Sequence, residues 1–423
     1  MLSALAPLRR HRVVRASAAA IFCYGFAGAA TNPYQSVLAI RDLGFSNSGY
    51  ATIALAAAVA NVVSAIAIGM VSDRFHSYRA PLIFVALLGV LSYGAIWLAP
   101  HPIIFAAVTI GPMAVFHATN SLLFGNVRAH SARYSTTEAD DINALMRMTI
   151  SLAWVLVPGG VALILRDGSR LIDAWLIAAC LAGACLAVIL FWLEPDRRPV
   201  PEALPAGGTG TSPVAPTTGR PDRPAQVRGA KGAAMVELAR LLNMPVMVRI
   251  LGVALVSQAL TVNGMALPLI TTGRVGGTLA DVGVVVGMVA GIEVVFMIVW
   301  IRLARRIPMM AALAAGMALY AAYLLWLAVA GAPWEVYAAS VIGGVGAAGI
   351  IALPIGFLLD LIRDRPGLSA SLIAVNMFLG SAIGAGIFAV GSALGGYGMA
   401  TALSAGVGMG GTGLLAWLER RRE

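Results

Sequence analysis

Apolar residues fall into about a dozen long stretches separated by short polar breaks, and a stretch of about 20 such residues crosses a bilayer as a helix. The pattern predicts spans over residues 16–40, 49–70, 80–99, 102–124, 144–165 and 172–193. After a polar interruption it predicts six more, over 247–270, 282–301, 309–330, 334–361, 368–393 and 396–418. The breaks carry turn or capping chemistry: Ser46 and Asp281 ahead of spans two and eight, Pro308 ahead of nine, Pro366-Gly367 ahead of eleven, and Gly395-Gly396 ahead of twelve. The interruption, 194–242, is rich in Pro, Gly, Ala and Thr, and nothing in 206–224 can form a core. It reads as a disordered linker, with 235–242 either a plain spacer or a short amphipathic helix on the membrane surface.

The expected fold is all-α and integral to a membrane: twelve transmembrane helices in two six-helix bundles with pseudo-two-fold symmetry. The bundles are 1–193 and 247–423, with 194–246 between them as a cytoplasmic linker. Six plus six is the layout of a two-fold transporter. Weak internal symmetry agrees with a duplication. Asn32-Pro33 near the end of span one matches Leu267-Pro268 in span seven, and Gly44-Phe45-Ser46 matches Gly276-Gly277-Thr278. Asp73-Arg74 and Arg305-Arg306 occupy corresponding loops.

Composition changes this picture little. Hydrophobic residues are 59% and charged residues 11%, against about 25% charged in soluble domains. The net charge of +10 invites a nucleic-acid reading, but its placement explains it otherwise. With both termini on one side, twenty-four of the 29 basic residues share that side with the linker. Only Arg41, Arg166, Arg170 and Arg274 lie opposite, and Arg147 lies within a span. That asymmetry puts both termini in the cytoplasm. One Lys against twenty-eight Arg suggests a GC-rich bacterial genome, hence a bacterial inner (cytoplasmic) membrane. The basic start (Arg9, Arg10, Arg12, Arg15) precedes an apolar run too long for a signal peptide, which is read as a retained span. Cys23, Cys180 and Cys185 lie in apolar stretches without metal or disulfide spacing, and no phosphate-binding loop is present.

Two motifs carry mechanism. Gly69-Met70-Val71-Ser72-Asp73-Arg74, with Arg79 beyond, resembles the G-x-x-x-D-R loop between the second and third helices of the major facilitator superfamily, although His76 stands at the common Gly position. The resemblance implies gating by Gly69, Asp73, Arg74 and Arg79. Gly69 would admit a close helix contact, and Asp73 would sit at the positive end of helix eleven, near Leu368. In span five, Arg147, Ser151, Trp154 and Pro158 share one helix face, and Val157-Pro158-Gly159-Gly160 partly resembles the Gly-Pro-Gly-Gly element of that superfamily's antiporters. Arg147 either faces the interior or snorkels to the interface.

More specifically, Asn120-Ser121-Leu122-Leu123-Phe124, Arg128-Ala129-His130, and Arg147 followed by Ser151-Leu152-Ala153-Trp154-Val155 are similar to the sugar efflux transporter family. Leu267-Pro268-Leu269, Gly287-Met288, Ala290-Gly291-Ile292-Glu293, Asp360 and Pro366-Gly367 through Ser371 extend the likeness into the second half. The resemblance implies proton-coupled export of a small solute, with spans one, four, seven and ten lining a cavity and five and eleven flanking it.

Ionisable groups inside a membrane are costly and are functional candidates by default. Glu293, in mid-span, is either a proton carrier or a neutral hydrogen-bond donor. His117 and Arg147 are the other proton-coupling candidates. Asn32, Gln35, Asn120, Gln258, Asn263 and Asn376 both donate and accept hydrogen bonds, as a neutral polyol requires, and Trp154 offers a stacking face. Each amide alone is equally well read as interhelical glue. Gly287, Gly291, Gly380, Gly384 and Gly386 are read as close-packing positions.

The function expected is secondary active transport by alternating access, with proton-coupled efflux of a sugar or similar polar solute. The alternatives are efflux of drugs, siderophores or other amphipathic metabolites, and a non-transporting membrane sensor on the same fold. An enzyme is not expected, because the one acid and imidazole group near an interface, His130, Asp140 and Asp141, lacks ligand spacing. No cofactor, metal or nucleic-acid partner is expected. The partners are a small solute, protons and the bilayer, and the protein is read as a monomer.

Overall fold

The computed structural model describes residues 11–75, 77–131, 136–165, 170–194, 244–361 and 366–420. The expected linker and surface helix lie outside them, as do Arg9, Arg10, His76 and Arg166. So do the side chains of Asp73, Arg128, His130, Asp140, Asp141, Arg147, Asp360 and Ser371.

Twelve helical passes occur among the described residues. In the first half they are α1 (Arg12–Asp42), α2 (Asn47–Phe75), α3 (Arg79–Leu98), α4 (Pro102–Ile110, Pro112–Phe116 and Ala118–Ser131), α5 (Thr136–Leu165) and α6 (Asp173–Phe191). In the second half are α7 (Met244–Thr272), α8 (Leu279–Leu303), α9 (Met309–Val329) and α10 (Pro333–Leu361). Pro366–Arg420 follows as one helical run containing non-helical torsions at Gly395 and Gly396 (φ 74°). Its apolar part, Val375–Arg420, is 46 residues, more than twice what a bilayer core of about 30 Å accommodates. Gly396 takes the left-handed conformation that glycine allows, and Gly391 abuts the Ala400 backbone across the turn. The run is therefore two antiparallel passes, α11 (366–394) and α12 (397–420). All-helical architecture thus agrees with the hydropathy pattern, and the predicted Gly395-Gly396 break falls where expected.

The internal symmetry is visible in backbone geometry. Gly44 (φ 73°) and Gly276 (φ 69°) each turn the chain two residues ahead of a helix cap. Ser46 Oγ accepts from the Gly49 amide at 3.0 Å. Thr278 Oγ1 accepts from the Asp281 amide while the Asp281 carboxylate accepts from the Thr278 amide, a complete capping box. The cap of α8 is therefore Thr278, and Asp281, expected to be the cap, is its reciprocal partner.

Helices α1, α3, α5 and α6 pack together in the first half. In the second, α7 lies against the α11–α12 pair and α10 lies between α8 and α9. Small residues permit this. A methyl at Gly343 would meet the Tyr323 ring, at Gly346 the Tyr320 backbone, and at Gly344 the Ile292 side chain, so the Gly343–Gly346 stretch draws α8 and α9 onto α10. Trp300 Nε1 of α8 donates to Val345 O of α10 within this stretch, 2.8 Å. Gly287, Gly380 and Gly384 sit at close contacts, as expected. Gly69, Gly291 and Gly386 do not: a methyl there meets nothing within 4 Å. For Gly69 the reason is that α2 is the least buried of the spans.

Arg249 also departs from the sequence picture. Counted among surface cations, it is 3% exposed between α7 and α12. There its Nε donates to Glu419 Oε1 at 2.7 Å and its Nη1 to Pro245 O at 3.1 Å. Removing one partner of a buried pair leaves an uncompensated charge. Glu419→Ala is expected to cost roughly 3 kcal/mol, the low end for such a loss because Glu419 is itself 30% exposed. Thermal unfolding in detergent should show a lowered midpoint, and an unchanged midpoint would remove the pair from the stability account.

Candidate functional site

Breaks in the helices shape the interior. α1 passes from α-helix through a 3₁₀ turn at Asn32–Tyr34 to a π-helical end at Leu38–Asp42, around Pro33. α4 is interrupted at Gly111-Pro112 and again at His117. A proline or an irregular rung frees carbonyls that polar side chains then take up. Asn61 of α2 donates to Ala114 O at 3.3 Å, and Thr119 Oγ1 donates to Phe116 O at 2.6 Å. His117 sits at the second break, its Nδ1 3.1 Å from the Tyr24 hydroxyl, with the Tyr24 and Phe116 rings beside it. Three residues on, the Asn120 carbonyl oxygen is buried without a partner among the described residues.

In the second half a cavity of about 340 Å³ opens between α7, α10 and α11. Ser257, Thr261, Asn376 and Ser381 supply its polar wall, and Leu260, Ile350, Ile351, Pro354, Ile355, Leu358 and Met377 its apolar one. Asn376 Nδ2 donates to Ser257 Oγ at 2.9 Å, and Ser257 Oγ in turn donates to Val253 O at 3.0 Å. Among the described residues the buried Asn376 carbonyl oxygen has no partner. It is an acceptor held in place and unsatisfied, and an unmet buried acceptor costs about 1–3 kcal/mol.

The structure separates the predicted amides by use. Asn32 and Gln35 bond to each other, Gln35 Nε2 donating to Asn32 Oδ1 at 3.0 Å. Gln258 is fully buried and doubly bonded to α12: its Nε2 donates to Ser404 O at 2.9 Å and its Oε1 accepts from Ser404 Oγ at 3.0 Å. Asn263 Oδ1 accepts from the Tyr323 hydroxyl of α9 at 2.6 Å. The two α7 amides, expected to face a solute, thus join helices of their own bundle on two different sides of α7, Gln258 to α12 and Asn263 to α9. Trp154 is half-buried on α5. One turn further along, the Pro158 carbonyl lies against Gly283, and Gly287 meets the Val155 carbonyl and Gly159 amide, so α5 and α8 touch through the thinned segment.

Glu293 lies on α8, partly buried. Among the described residues no hydrogen-bond or ionic partner is set against its carboxyl. On the neighbouring α9 the Tyr320 and Tyr323 rings lie 5.3 Å apart. Tyr323 and Asn263 link α9 to α7 through their hydrogen bond. Sequence reasoning missed both tyrosines; their only signal was the spacing of Tyr320 and Tyr323 opposite Gly343 and Gly346.

The predicted gating residues divide as well. Arg74 is exposed. Arg79 Nη2 donates to Leu190 O at 2.7 Å, tying α3 to α6 inside the first half. A different set closes the two halves at the face opposite the termini. Arg41, at the end of α1, donates from Nη1 to Thr272 O (2.9 Å) and from Nη2 to Leu269 O (2.8 Å), the C-terminal carbonyls of α7. A methyl on Gly273 would strike that guanidinium. Nearby, the Tyr397 hydroxyl donates to Asn47 Oδ1 at 3.1 Å, and Phe388 lies between the Tyr50 and Tyr397 rings. This face is shut.

Comparison with known proteins agrees with this arrangement. A protein of Deinococcus radiodurans carrying the name "Putative sugar efflux transporter" is 24% identical over 407 residues, covering 95% of this chain and 97% of that one. Among solved structures, the nucleoside transporter NupG superposes with a TM-score of 0.71 at 11% identity, covering 96% of this chain and 99% of its own. A peptide transporter, POT, in complex with sulfate gives 0.68 at 15% identity, with 97% and 94% covered. The human organic anion transporter MFSD10 gives 0.60 at 15%, with 96% and 99% covered. At these identities the structures speak for the fold alone. The family model described as Major Facilitator Superfamily matches residues 17–389. Taken with the twelve passes and the interior they enclose, that match makes this chain a transporter of the Major Facilitator Superfamily.

Proposed function

We propose that this transporter exports a small, neutral, hydroxyl-rich solute in exchange for protons, across a bacterial inner membrane with both termini in the cytoplasm. The observation that carries the reading is the wall formed by Ser257, Thr261, Asn376 and Ser381, which offers amide and hydroxyl groups and no charge. Such a wall suits a polyol, and among the described residues that line the cavity none is charged. The Deinococcus radiodurans relative, similar over nearly its whole length, supports a sugar. The apolar side of the same cavity favours a second reading, an amphipathic metabolite with one hydroxylated edge.

In this reading the described conformation is closed to the outside, and the solute enters from the cytoplasmic side. The Arg41 bonds to α7 and the Tyr397 bond to Asn47 must break for release. Glu293 takes up a proton in one orientation and gives it up in the other. His117 and Arg147 remain candidates for the same exchange, and Asp73 for holding the opposite face. Asn32, Gln35, Asn120 and Trp154 are proposed to complete the solute site from the first half.

Inside-out vesicles with an imposed proton gradient and a panel of labelled sugars and amphipathic dyes test the solute class. Accumulation of dyes but no sugar would select the second reading. Asn376→Leu should lower apparent solute affinity about tenfold, the value of one hydrogen bond made in a buried site. Equal affinity would take Asn376 out of the solute site. Glu293→Gln should abolish gradient-driven uptake yet leave solute exchange without a gradient, and gradient-driven uptake at the wild-type rate would exclude Glu293 from coupling. For the outer gate, a cysteine at Leu269, fully buried here, reports opening in a background lacking the native cysteines. Arg41→Ala removes two charge-assisted bonds of about 1.5–3 kcal/mol each. It should raise labelling of that cysteine at least several-fold, and an unchanged rate would mean that Arg41 does not hold the gate.

A further inference from the structure

At the face bearing the termini, the first turn of α1 and the end of α6 enclose a cavity of about 330 Å³, lined by Arg12, Arg15, Ala16 and Trp192. Arg12 and Arg15 are three residues apart and so lie on one side of α1, both exposed. Among the described residues neither guanidinium has a hydrogen-bond or ionic partner. The first turn of α1 contains no acidic residue. Two cations therefore stand at the positive end of a helix dipole, an arrangement that is unfavourable until an anion joins it. The α6 end is a natural acceptor for them, but Arg79 already occupies it through Leu190 O.

The depth is that of lipid headgroups. α1 and α6 are spans whose ends meet here, Phe191 is 76% exposed on the apolar side, and Trp192 is 54% exposed beside the arginines. Tryptophan favours that boundary, and basic pockets between helices on the cytoplasmic side suit anionic headgroups. We propose that this groove binds the phosphate of an anionic phospholipid. Arg12 and Arg15 hold the phosphodiester, and Trp192 lies along the glycerol and upper acyl chain. The site is independent of the transported solute and rests on the reading given above only in placing this face toward the cytoplasm.

Native mass spectrometry of the purified protein with phosphatidylglycerol, and with phosphatidylcholine of the same acyl chains, tests it. The wild type should retain phosphatidylglycerol in preference. Arg12→Gln with Arg15→Gln should weaken that retention about fivefold per arginine. Arg305→Gln with Arg306→Gln, which removes the same charge from an exposed loop on the same face, should leave it intact. An unchanged unfolding midpoint in lipid-free detergent shows that the variants are folded. Equal retention by the Arg12/Arg15 variant, equal loss in the Arg305/Arg306 variant, or no preference over phosphatidylcholine would overturn the proposal. So would displacement of the lipid by inorganic phosphate alone, which would make the groove a free-anion site.

Discussion

Inside a bilayer no water meets an exposed backbone group, so each N–H and C=O left open by a broken helix costs several kcal/mol until something else bonds it. That constraint organises this molecule. Its helices are broken where the interior is shaped, at Pro33, Gly111 and His117, and Gly395-Gly396 turn the chain between α11 and α12. Each described break has a side chain assigned to the repair or a glycine able to take the turn. Asn61 and Thr119 serve α4. At the α7 end, Thr271 Oγ1 donates to Leu267 O and Thr272 Oγ1 to Pro268 O, while Arg41 takes Leu269 O and Thr272 O. The residues that look functional in a polar census are therefore competing for two jobs, repair of the backbone and contact with a solute.

That competition explains which parts of the molecule were legible in the sequence. Spans were legible because hydropathy is a local property, and the α11–α12 hairpin because Gly396 is needed for a positive φ. The matched turns at Gly44 and Gly276 were legible as well, being short motifs with a fixed backbone requirement. The rotation of each helix about its axis was not. α7 is apolar nearly all round, so nothing local distinguishes the side bearing Gln258 from the side bearing Ser257. Tertiary packing decides, through Gly380 and Gly384, which bring α11 against Ser257 and Thr261, while Ser404 of α12 takes up Gln258. Asn376 and Asn120 were found by their residue type. Arg41 was overlooked because its partners are backbone carbonyls, which leave no mark on a sequence beyond one cation on the side where cations are scarce.

The scarcity itself has a structural meaning. Arg274 occupies the loop after α7 as Arg41 occupies the end of α1, and both bond helix C-termini at the same face. Arg274 donates to Leu327 O, Ala328 O and Ala330 O, the end of α9, inside its own bundle. Arg170 pairs locally with Asp173. Of these three arginines on that face, only Arg41 reaches across the two halves. A cation set against helix carbonyls needs no acidic partner, so the contact can part without leaving a carboxylate stranded in a dry interface. The freed guanidinium and the α7 carbonyls both emerge at the water boundary, where solvent replaces the bonds.

The duplicated fold has thus put one chemical device to two uses. On Arg274 it is a cap within one bundle, tying the loop after α7 to the end of α9. On Arg41 the same device spans the seam between bundles and must be made and broken if they rock. α7 is where the two meet: its end accepts Arg41, its following loop supplies Arg274, and its Asn263 takes the Tyr323 hydroxyl of α9. The bonds that cross the seam and the bond that ties α9 to α7 thus converge on a single helix, so any rearrangement of α7 must reckon with both.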